Sequence, residues 1–233
     1  MTDHILGILG GMGPEATAYF FQQFIKATPA NNDLEHIKTI IYSNPQIPDR
    51  TQAILYDGIS PVEEMIRTAR VLEKSGADFI FMPCFTAHHF VEQVQDGINT
   101  PVINLLHIVK EYIEVNHSNI KSLGILCTTG TKRSKIFDDV LYNYQLIYPD
   151  EEMQENYVMK AIYGEKGIKA GYADGISSQL LNDAGQELKN RGAEILVMGC
   201  TEIPLALKED ALDIPILNPM KLAAHYLVKR IKG

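Results

Sequence analysis

The stretch LGILGGMG, residues 6–13, returns at residues 123–130 as LGILCTTG. Further along the chain, KSGADFIFMPC, ending at Cys84, is matched by NRGAEILVMGC, ending at Cys200. A third pair, NTPVIN and LDIPILN, follows in the same order. The offsets are 117, 116 and 114 residues, measured at Gly7/Gly124, Cys84/Cys200 and Pro101/Pro215. We infer two homologous halves of about 115 residues each, the size of a small domain.

Short apolar runs alternate with helical patterns inside the first half. HILGILG, IKTIIYS and DFIFMP have the length and composition of buried strands, and EATAYFFQQFIKA and SPVEEMIRTARVLEKSG have helical patterns. Ser60 and Glu63 form a capping box with Pro61 at the first helical position, so we expect a helix to begin there. The pattern predicts an α/β fold in which each half is a parallel sheet flanked by helices on both faces.

The repeat also predicts where a site lies. In parallel sheets of this kind, ligands bind at the carboxyl ends of the strands, and Cys84 and Cys200 both fall at the end of an apolar strand. If a pseudo-twofold axis relates the halves, the two thiols meet across one cleft. We expect the active site in that cleft.

Composition and charge narrow the class of protein. The chain has 233 residues, of which 45% are hydrophobic and 21% charged, as in ordinary globular proteins. A net charge of −8 argues against nucleic-acid binding, and the start MTDHILGILGG lacks the basic and apolar regions of a signal peptide. No apolar run approaches the ~18 residues of a membrane span. Three cysteines suit a reducing compartment, so we expect a cytoplasmic protein without membrane or nucleic-acid partners.

Residues 11–16, GMGPEA, fit the dinucleotide pattern G-x-G-x-x-G/A. A dinucleotide fold also needs an acidic residue at the end of the second strand, whereas IKTIIYS ends in Ser43 and is followed by Asn44. We therefore interpret the glycines as a tight strand-to-helix turn, with Pro14 starting the helix. The backbone amides of Gly11 and Met12 in such a turn suit a carboxylate as well as a phosphate, so both residues are candidates for substrate binding.

The three cysteines divide into one structural and two functional residues. Free cysteine is among the most buried residue types, and we interpret Cys127, which has no counterpart in the first half, as a small buried hydrophobe. Cys84 and Cys200 match each other in the repeat and have hydroxyl-bearing neighbours. Strand ends that lead into helix starts also lower a thiol pKa, which predicts a functional pair.

A metal site at Cys84, His88 and His89 is the competing interpretation. Cys84 and His88 are spaced to share a helical face, but the second half offers only Cys200 and Glu202. Zinc sites have a clearer set of three or four ligands, so we expect no metal. His89 is then a surface or packing residue.

Two opposed thiols favour one reaction above others. A thiolate removes a proton from a carbon on one face, and a thiol on the other face returns a proton, so the configuration inverts. This is general acid–base catalysis by two groups in complementary protonation states.

The segments GGMGPEAT, NPQIPDRT, MPCFTAH, GIKAG and GCTEIPL together resemble the aspartate/glutamate racemase family, and within it the cofactor-independent aspartate racemases. The resemblance runs nearly end to end. It implies racemisation without pyridoxal phosphate or any other cofactor, with Cys84 and Cys200 as the two acid/base residues.

The same resemblance assigns substrate contacts. The arginine of the PDRT loop and the lysine of the GIK segment bind substrate carboxylates in the family, and they correspond to Arg50 and Lys169. Arginine has the planar fork that suits a bidentate carboxylate. Four hydroxyls are candidates for the α-carboxylate and the developing enolate-like charge: Thr86, Thr128, Thr129 and Thr201.

One residue departs from the family pattern. The first cysteine motif usually reads Pro-Cys-Asn-Thr, and here Phe85 replaces the asparagine that contacts substrate in relatives. Aspartate is our first expectation for the substrate, then glutamate, then a wider range of amino acids. The resemblance also implies a homodimer, with domains at 1–104 plus 218–233 and at 105–217.

Two other classes of function stay open. A decarboxylase or a cis–trans isomerase on the same scaffold is one, although a decarboxylase needs a single acid. A non-catalytic protein that binds a small molecule is the other, although a binding protein has no need of two cysteines.

Overall fold

A computed structural model of the chain describes residues 4–233. The strands in this range are β1 (Leu6–Gly10), β2 (Thr39–Ser43), β3 (Phe79–Phe81), β4 (Val102–Ile103), β5 (Ser122–Leu126), β6 (Gln145–Ile147), β7 (Ile195–Met198) and β8 (Ile216–Leu217). The α-helices in the same range are α1 (Pro14–Ala27), α2 (Arg50–Leu55), α3 (Val62–Lys74), α4 (Val91–Asp96), α5 (Leu105–Asn116), α6 (Thr129–Ser134), α7 (Ile136–Val140), α8 (Glu151–Met153), α9 (Lys160–Tyr163), α10 (Ile176–Asn190) and α11 (Pro219–Lys232). Short 3-10 helices lie at Asp33–Glu35, Thr86–Phe90, Ile168–Ala170 and Ile203–Leu205, and a π-helical segment at Gln154–Met159.

The strands form two four-stranded sheets with the same topology. Their orders are β2-β1-β3-β4 and β6-β5-β7-β8, and every neighbouring pair is parallel. The strands β1 and β5 lie inside their sheets and are buried along their whole length, whereas β2 lies at an edge and is partly exposed. The predicted α/β fold with two parallel, helix-flanked sheets is therefore confirmed.

The chain divides into two compact units. The first continues to Ile108 and is completed by Met220–Gly233, and the second is Val109–Pro219, whereas the family resemblance implies boundaries at 104/105 and 217/218. The first turn of α5 stays with the first unit because the Leu105 N–H donates to a side chain of that unit, His88, over 3.0 Å.

Two predicted helix starts can be compared directly with the structure. The helix α1 begins at Pro14, as predicted, because a proline in the first turn loses no helical hydrogen bond. The helix α3 begins at Val62, one residue later than predicted, with Pro61 as its N-cap residue. The Ser60 hydroxyl accepts from the Val62 N–H over 3.3 Å, which satisfies one of the open donors of the first turn.

Glycines in the central strands have a packing role that both units share. A Cβ atom on Gly7 would lie 2.9 Å from the Ala77 Cβ, and one on Gly124 would lie 3.0 Å from the Ala193 Cβ. Ala77 and Ala193 follow the helices α3 and α10 and occupy equivalent positions of the repeat. The glycine of each LGIL segment therefore lets this chain segment approach the central strand closely.

A carboxylate ties the start of each central strand to its neighbour. Asp78 accepts from the Ile5 N–H over 2.6 Å, and its own N–H donates to the Ile5 carbonyl over 2.9 Å. In the second unit, the Glu194 carboxylate accepts from the Ser122 N–H over 2.9 Å, and the Glu194 backbone N–H donates to the Ser122 carbonyl over 3.2 Å. The repeat thus extends from sequence to individual hydrogen bonds.

Glu194→Gln tests how much the charge of this carboxylate stabilises the second unit. Hydrogen bonds from the Lys121 N–H and from the hydroxyl and N–H of Ser122 hold the pKa of Glu194 below its usual range. A group with a lowered pKa stabilises the fold above its unfolded pKa, and this contribution is lost as the pH falls through the folded pKa. We expect Glu194→Gln to have a lower Tm than the wild type at pH 7, and the difference between the two Tm values to narrow only below about pH 4.

The matched control is Glu165→Gln, which removes an exposed carboxylate from the loop after α9. We expect its Tm to stay at the wild-type value across the same pH range. Equal melting temperatures of the two variants at pH 7 would contradict a stabilising role for the Glu194 charge.

Candidate active site

Most of the predicted site residues follow the carboxyl ends of strands. In the first unit, Gly11 and Met12 follow β1, Arg50 lies on the connection after β2, and Cys84 leads the loop after β3. In the second unit, Thr128 and Thr129 follow β5, and Cys200 and Thr201 follow β7. Lys169 is the exception, since it lies in the 3-10 helix Ile168–Ala170. Each unit thus presents its own group of predicted residues at the edge where parallel sheets bind ligands.

The glycine-rich turn after β1 is tight for steric reasons. Gly11 has a φ of +97°, and a Cβ atom there would lie 2.3 Å from the backbone of Asn44. Its N–H donates to the Thr17 hydroxyl over 3.0 Å, and that hydroxyl donates to the Gly13 carbonyl over 2.9 Å. The Gly11 amide is thus bonded inside the turn instead of pointing away from it, and a role of Gly11 and Met12 in substrate binding stays a prediction.

Arg50 is a buried cation in the first unit, with 7% of the residue exposed. It is the first residue of α2, and its guanidinium donates to the carbonyls of Pro48 over 3.0 Å and Ile47 over 3.3 Å. A longer contact of 3.5 Å reaches the Met12 carbonyl. The structure therefore brings Arg50 and Met12 together, and it fixes the guanidinium by several contacts at once.

Cys84 is 5% exposed and belongs to the same cluster of buried side chains as Met12. The ring of His88 fixes its backbone. The His88 Nδ1–H donates to the Cys84 carbonyl over 2.8 Å, since Nε2 accepts from the Leu105 N–H over 3.0 Å. Burial lowers the pKa of His88 to about 4, so the ring is neutral at pH 7.

These contacts decide against the metal interpretation of His88, because both of its ring nitrogens have backbone partners. His89 is exposed and lies edge-on to the Phe90 ring, with 4.8 Å between centroids, as expected of a surface residue. Within residues 4–233, no three His, Cys, Asp or Glu side chains are grouped to hold a metal ion.

Phe85 and Thr86 follow Cys84 directly and are almost completely buried, at 1% and 7% exposure. The Phe85 carbonyl accepts from the His88 N–H over 2.8 Å, which closes the turn into the 3-10 helix Thr86–Phe90. Phe85 therefore has the burial of a core residue, and its contact with substrate stays a prediction.

The group in the second unit is centred on a residue that the sequence analysis did not assign. The Cys200 thiol donates to Glu202 Oε2 over 3.0 Å, and the Thr201 hydroxyl donates to the same oxygen over 3.2 Å. The other oxygen, Oε1, forms an ion pair with the Lys169 ammonium. The Glu202 side chain is 4% exposed. The triplet Cys200-Thr201-Glu202 is a sequence signal for this group, but the spacing alone does not say that the carboxylate turns back to the thiol.

The electrostatics of Cys200 correct one sequence-based expectation. A strand end that leads into a helix start predicts a lowered thiol pKa, whereas burial and the neighbouring Glu202 carboxylate raise the pKa of Cys200 well above its ordinary value. The helix that follows, Ile203–Leu205, is a single 3-10 turn. Burial and the carboxylate therefore outweigh any effect of the strand end. For Lys169, burial lowers the pKa, but the charge and hydrogen bond of Glu202, together with the interactions with Cys200 and Tyr163, more than offset it, and the pKa is raised.

The remaining predicted residues of the second unit have local partners. The Thr128 hydroxyl accepts from the Thr131 N–H over 3.2 Å and caps α6, and the Thr129 hydroxyl donates to Glu155 over 2.7 Å. Their contact with substrate stays a prediction. Cys127 is fully buried, and burial raises the pKa of its thiol, which confirms the interpretation as a small buried hydrophobe. Along residues 4–233, no helix combines the length and apolarity that a membrane crossing requires.

Comparison with known proteins gives one consistent result. The sequence model of the Asp/Glu/hydantoin racemase family matches residues 9–227. The broad specificity amino-acid racemase RacX of Bacillus subtilis (strain 168) is 31% identical over 221 residues, which cover 92% of this chain and 92% of that protein. The Picrophilus torridus aspartate racemase structure matches with a TM-score of 0.85 at 26% identity, covering 98% of this chain and 94% of that one.

A glutamate racemase structure from Francisella tularensis, in complex with D-glutamate, extends the similarity of fold. Its TM-score is 0.69 at 16% identity, covering 100% of this chain and 82% of that one, so it shows the fold alone. Together the similarities define the class of protein, an isomerase that racemises amino acids. The chain belongs to the Asp/Glu/hydantoin racemase family, which confirms the resemblance seen in its sequence motifs.

The hydrogen bonds of the His88 ring to the backbone of Cys84 and Leu105 are tested by His88→Gln. The ordinary pKa of 6.5 is lowered to about 4 in the folded protein, so between these values the unfolded chain binds a proton that the folded chain does not. Stability therefore falls as the pH drops from 6.5 to 4, by about 3 kcal/mol in total. We expect urea unfolding of the variant to lack this slope, and its stability at pH 7 to be lower by about 1–3 kcal/mol because buried backbone groups lose a partner.

His89→Gln is the control, because it changes the exposed neighbour of the same residue type. It should leave both the slope and the stability at pH 7 as they are in the wild type. If His88→Gln kept the wild-type slope between pH 6.5 and 4, then another group would be responsible for it.

Proposed function

We propose that the chain is a cofactor-independent amino-acid racemase that interconverts L- and D-aspartate by proton transfer between two cysteines. The observation that supports it most directly is the pairing of Cys84 and Cys200. Each follows the third strand of its unit, at matched positions of the repeat, and each is about 95% buried. A catalytic pair explains why the same residue type recurs at this point of both halves.

The proposed step breaks the α-carbon–hydrogen bond and inverts the carbon. A thiolate on one face takes the α-proton and forms an S–H bond. The electron pair left on carbon is delocalised into the α-carboxylate, which becomes enolate-like. The thiol on the other face then gives its proton to the carbon, and its sulfur is left as the thiolate. Atoms and charge balance without an electron acceptor.

Burial of both sulfurs supports this chemistry. A thiolate that has lost its water shell is a stronger base than one in solution, since burial disfavours the charged form. Polar groups fixed around the reacting carbon also stabilise developing charge more strongly where water is excluded. In the first unit the positive charge of Arg50 is already fixed by its carbonyl contacts, and we assign it to a substrate carboxylate.

The choice of aspartate rests on the similarity to the Picrophilus torridus aspartate racemase, at 26% identity over nearly the whole chain. A specific observation also favours a second candidate. The relative at 31% identity is a broad specificity amino-acid racemase, so a wider range of substrates is the alternative. Glutamate comes second in our order of expected substrates, after aspartate and before a wider range of amino acids.

Proton NMR in D2O tests both the activity and the substrate. We expect incubation with the chain to replace the α-proton of L-aspartate by deuterium while D-aspartate accumulates, and a panel of L-amino acids then ranks the substrates. Cys84→Ser and Cys200→Ser should each lower net racemisation by about 10²–10⁴-fold, because a hydroxyl is too weak a base at neutral pH.

Cys127→Ser is the matched control, since it changes the third cysteine, which lies fully buried after β5. We expect it to keep racemase activity in proportion to its folded fraction. Near-wild-type turnover in Cys84→Ser or in Cys200→Ser would contradict the two-cysteine mechanism. Absence of α-proton exchange on every amino acid tested would contradict the racemase function itself.

Arg50→Ala tests the preference for an acidic side chain. Loss of a charge-assisted contact worth about 1.5–3 kcal/mol should lower kcat/KM on aspartate by about 10- to 150-fold, with a far smaller loss on alanine or serine. Arg50→Lys keeps the charge without the planar fork, so its kcat/KM on aspartate should lie between those of the wild type and Arg50→Ala. Arg67→Ala removes an exposed arginine of α3 and serves as the control. Equal losses on all substrates would place Arg50 at the α-carboxylate instead.

A further inference from the structure

The two halves differ in the residues that follow their cysteines, and one of these differences changes the charge. Two residues after Cys84 the chain has Thr86, and two residues after Cys200 it has Glu202. The repeat therefore pairs an uncharged hydroxyl in the first half with a carboxylate in the second. Phe85 and Thr201, at the intervening position, also differ, but both are uncharged, so the pair Thr86/Glu202 is the difference in charge between the segments that follow the two proposed acid/base residues.

Glu202 is bonded through both of its oxygens. Oε2 lies 3.0 Å from the Cys200 sulfur and 3.2 Å from the Thr201 hydroxyl oxygen, and both of these groups donate to it. Oε1 pairs with the Lys169 ammonium, which also lies over the Tyr163 ring at 5.4 Å from its centroid. An ionised carboxylate accepts hydrogen bonds and donates none, so its contact with Cys200 needs the proton on sulfur.

The contacts also indicate which neighbouring charge, that of Glu202 or that of Lys169, acts more strongly on the Cys200 sulfur. A thiolate at Cys200 would place two negative charges 3.0 Å apart, in surroundings where the carboxylate is 4% exposed and weakly screened. Lys169 acts in the opposite sense, but its ammonium contacts the far oxygen, Oε1, while the near oxygen faces the sulfur. Among the residues that the structure describes, Glu202 and Lys169 are the charged groups that act on this sulfur, and Tyr163 lies beyond the lysine.

We propose that Glu202 is a positioning residue that keeps Cys200 in its protonated form in the resting enzyme, so that Cys200 begins the reaction as the proton donor. The assignment rests on the proposed function, in which Cys84 and Cys200 are the acid/base pair. Because Thr86 brings no negative charge to Cys84, the two thiols are not equivalent before substrate binds. The resting protein then accepts the enantiomer whose α-proton faces Cys84.

A second consequence concerns Lys169. Its charge is balanced by Glu202 in the structure, so it offers a substrate carboxylate less attraction than an unpaired ammonium does. Arg50 and Lys169 are therefore unequal partners for an acidic substrate. The carboxylate of Glu202 links the protonation of one catalytic thiol to the electrostatics of a binding residue.

Alkylation of the full chain with iodoacetamide across a range of pH tests the proposal. Because the thiolate is the reactive form, the midpoint of the rate profile of each cysteine reports its pKa. Mass spectrometry of the cysteine-bearing peptides follows Cys84 and Cys200 separately in one sample. We expect Glu202→Gln to move the Cys200 midpoint down by about 1 unit or more, as for removal of a charge at contact distance, while the Cys84 midpoint stays in place.

Two further variants separate charge from structure. Glu202→Asp retains the carboxylate and should have a Cys200 midpoint closer to the wild type than Glu202→Gln. Thr201→Val removes the other donor to Oε2 without changing any charge, and should move the midpoint much less. An unmoved Cys200 midpoint in Glu202→Gln overturns the proposal, and so does a joint shift of both cysteines, which indicates general loosening of the fold.

The alkylation profiles require no turnover, so their outcome is independent of the racemase assay. If the Cys200 midpoint shifts as expected but no amino acid exchanges its α-proton in D2O, then the proposed function fails and the electrostatic control of the thiol stands. If exchange occurs and the midpoint stays in place, then the role of Glu202 fails alone.

Discussion

Burial of the central strand on both faces is the constraint on which each unit depends. The strands β1 and β5 pack so closely against neighbouring segments that a glycine is needed in each, and apart from Ser122 at the start of β5 their other side chains are apolar. Chemistry is therefore confined to the segments that leave the carboxyl edge of each sheet. Cys84 and Cys200 both lie on such segments, and the surrounding contacts determine how the two thiols differ.

The partners of the two cysteines are unlike in kind. His88 holds the Cys84 backbone through a neutral ring with both nitrogens bonded to backbone groups. Cys200 is held through its sulfur, by a carboxylate that also pairs with a lysine. The first arrangement fixes the backbone position of Cys84, whereas the second contacts the sulfur of Cys200 itself. The fold repeats, and the electrostatics do not.

The sequence alone predicts the parallel sheets, the strand-end placement of Cys84 and Cys200 and the burial of Cys127, because these follow from apolar runs and from the internal repeat. It does not predict that Glu202 turns back to Cys200, or that the Gly11 amide bonds to Thr17. Those contacts depend on side-chain directions in short turns, where no periodicity fixes which way a residue points. The expectation of a lowered pKa for the Cys200 thiol is wrong for the same reason, since burial and the Glu202 carboxylate raise that pKa.

The difference between Thr86 and Glu202 has a consequence for the ancestry of the chain. An assembly of two identical half-length polypeptides carries the same residue at both positions, so each substitution near one sulfur is copied at the other. Joining the halves in one polypeptide frees the two positions to change independently. The covalent connection, more than any single contact, is what allows two matched cysteines to acquire unlike neighbours.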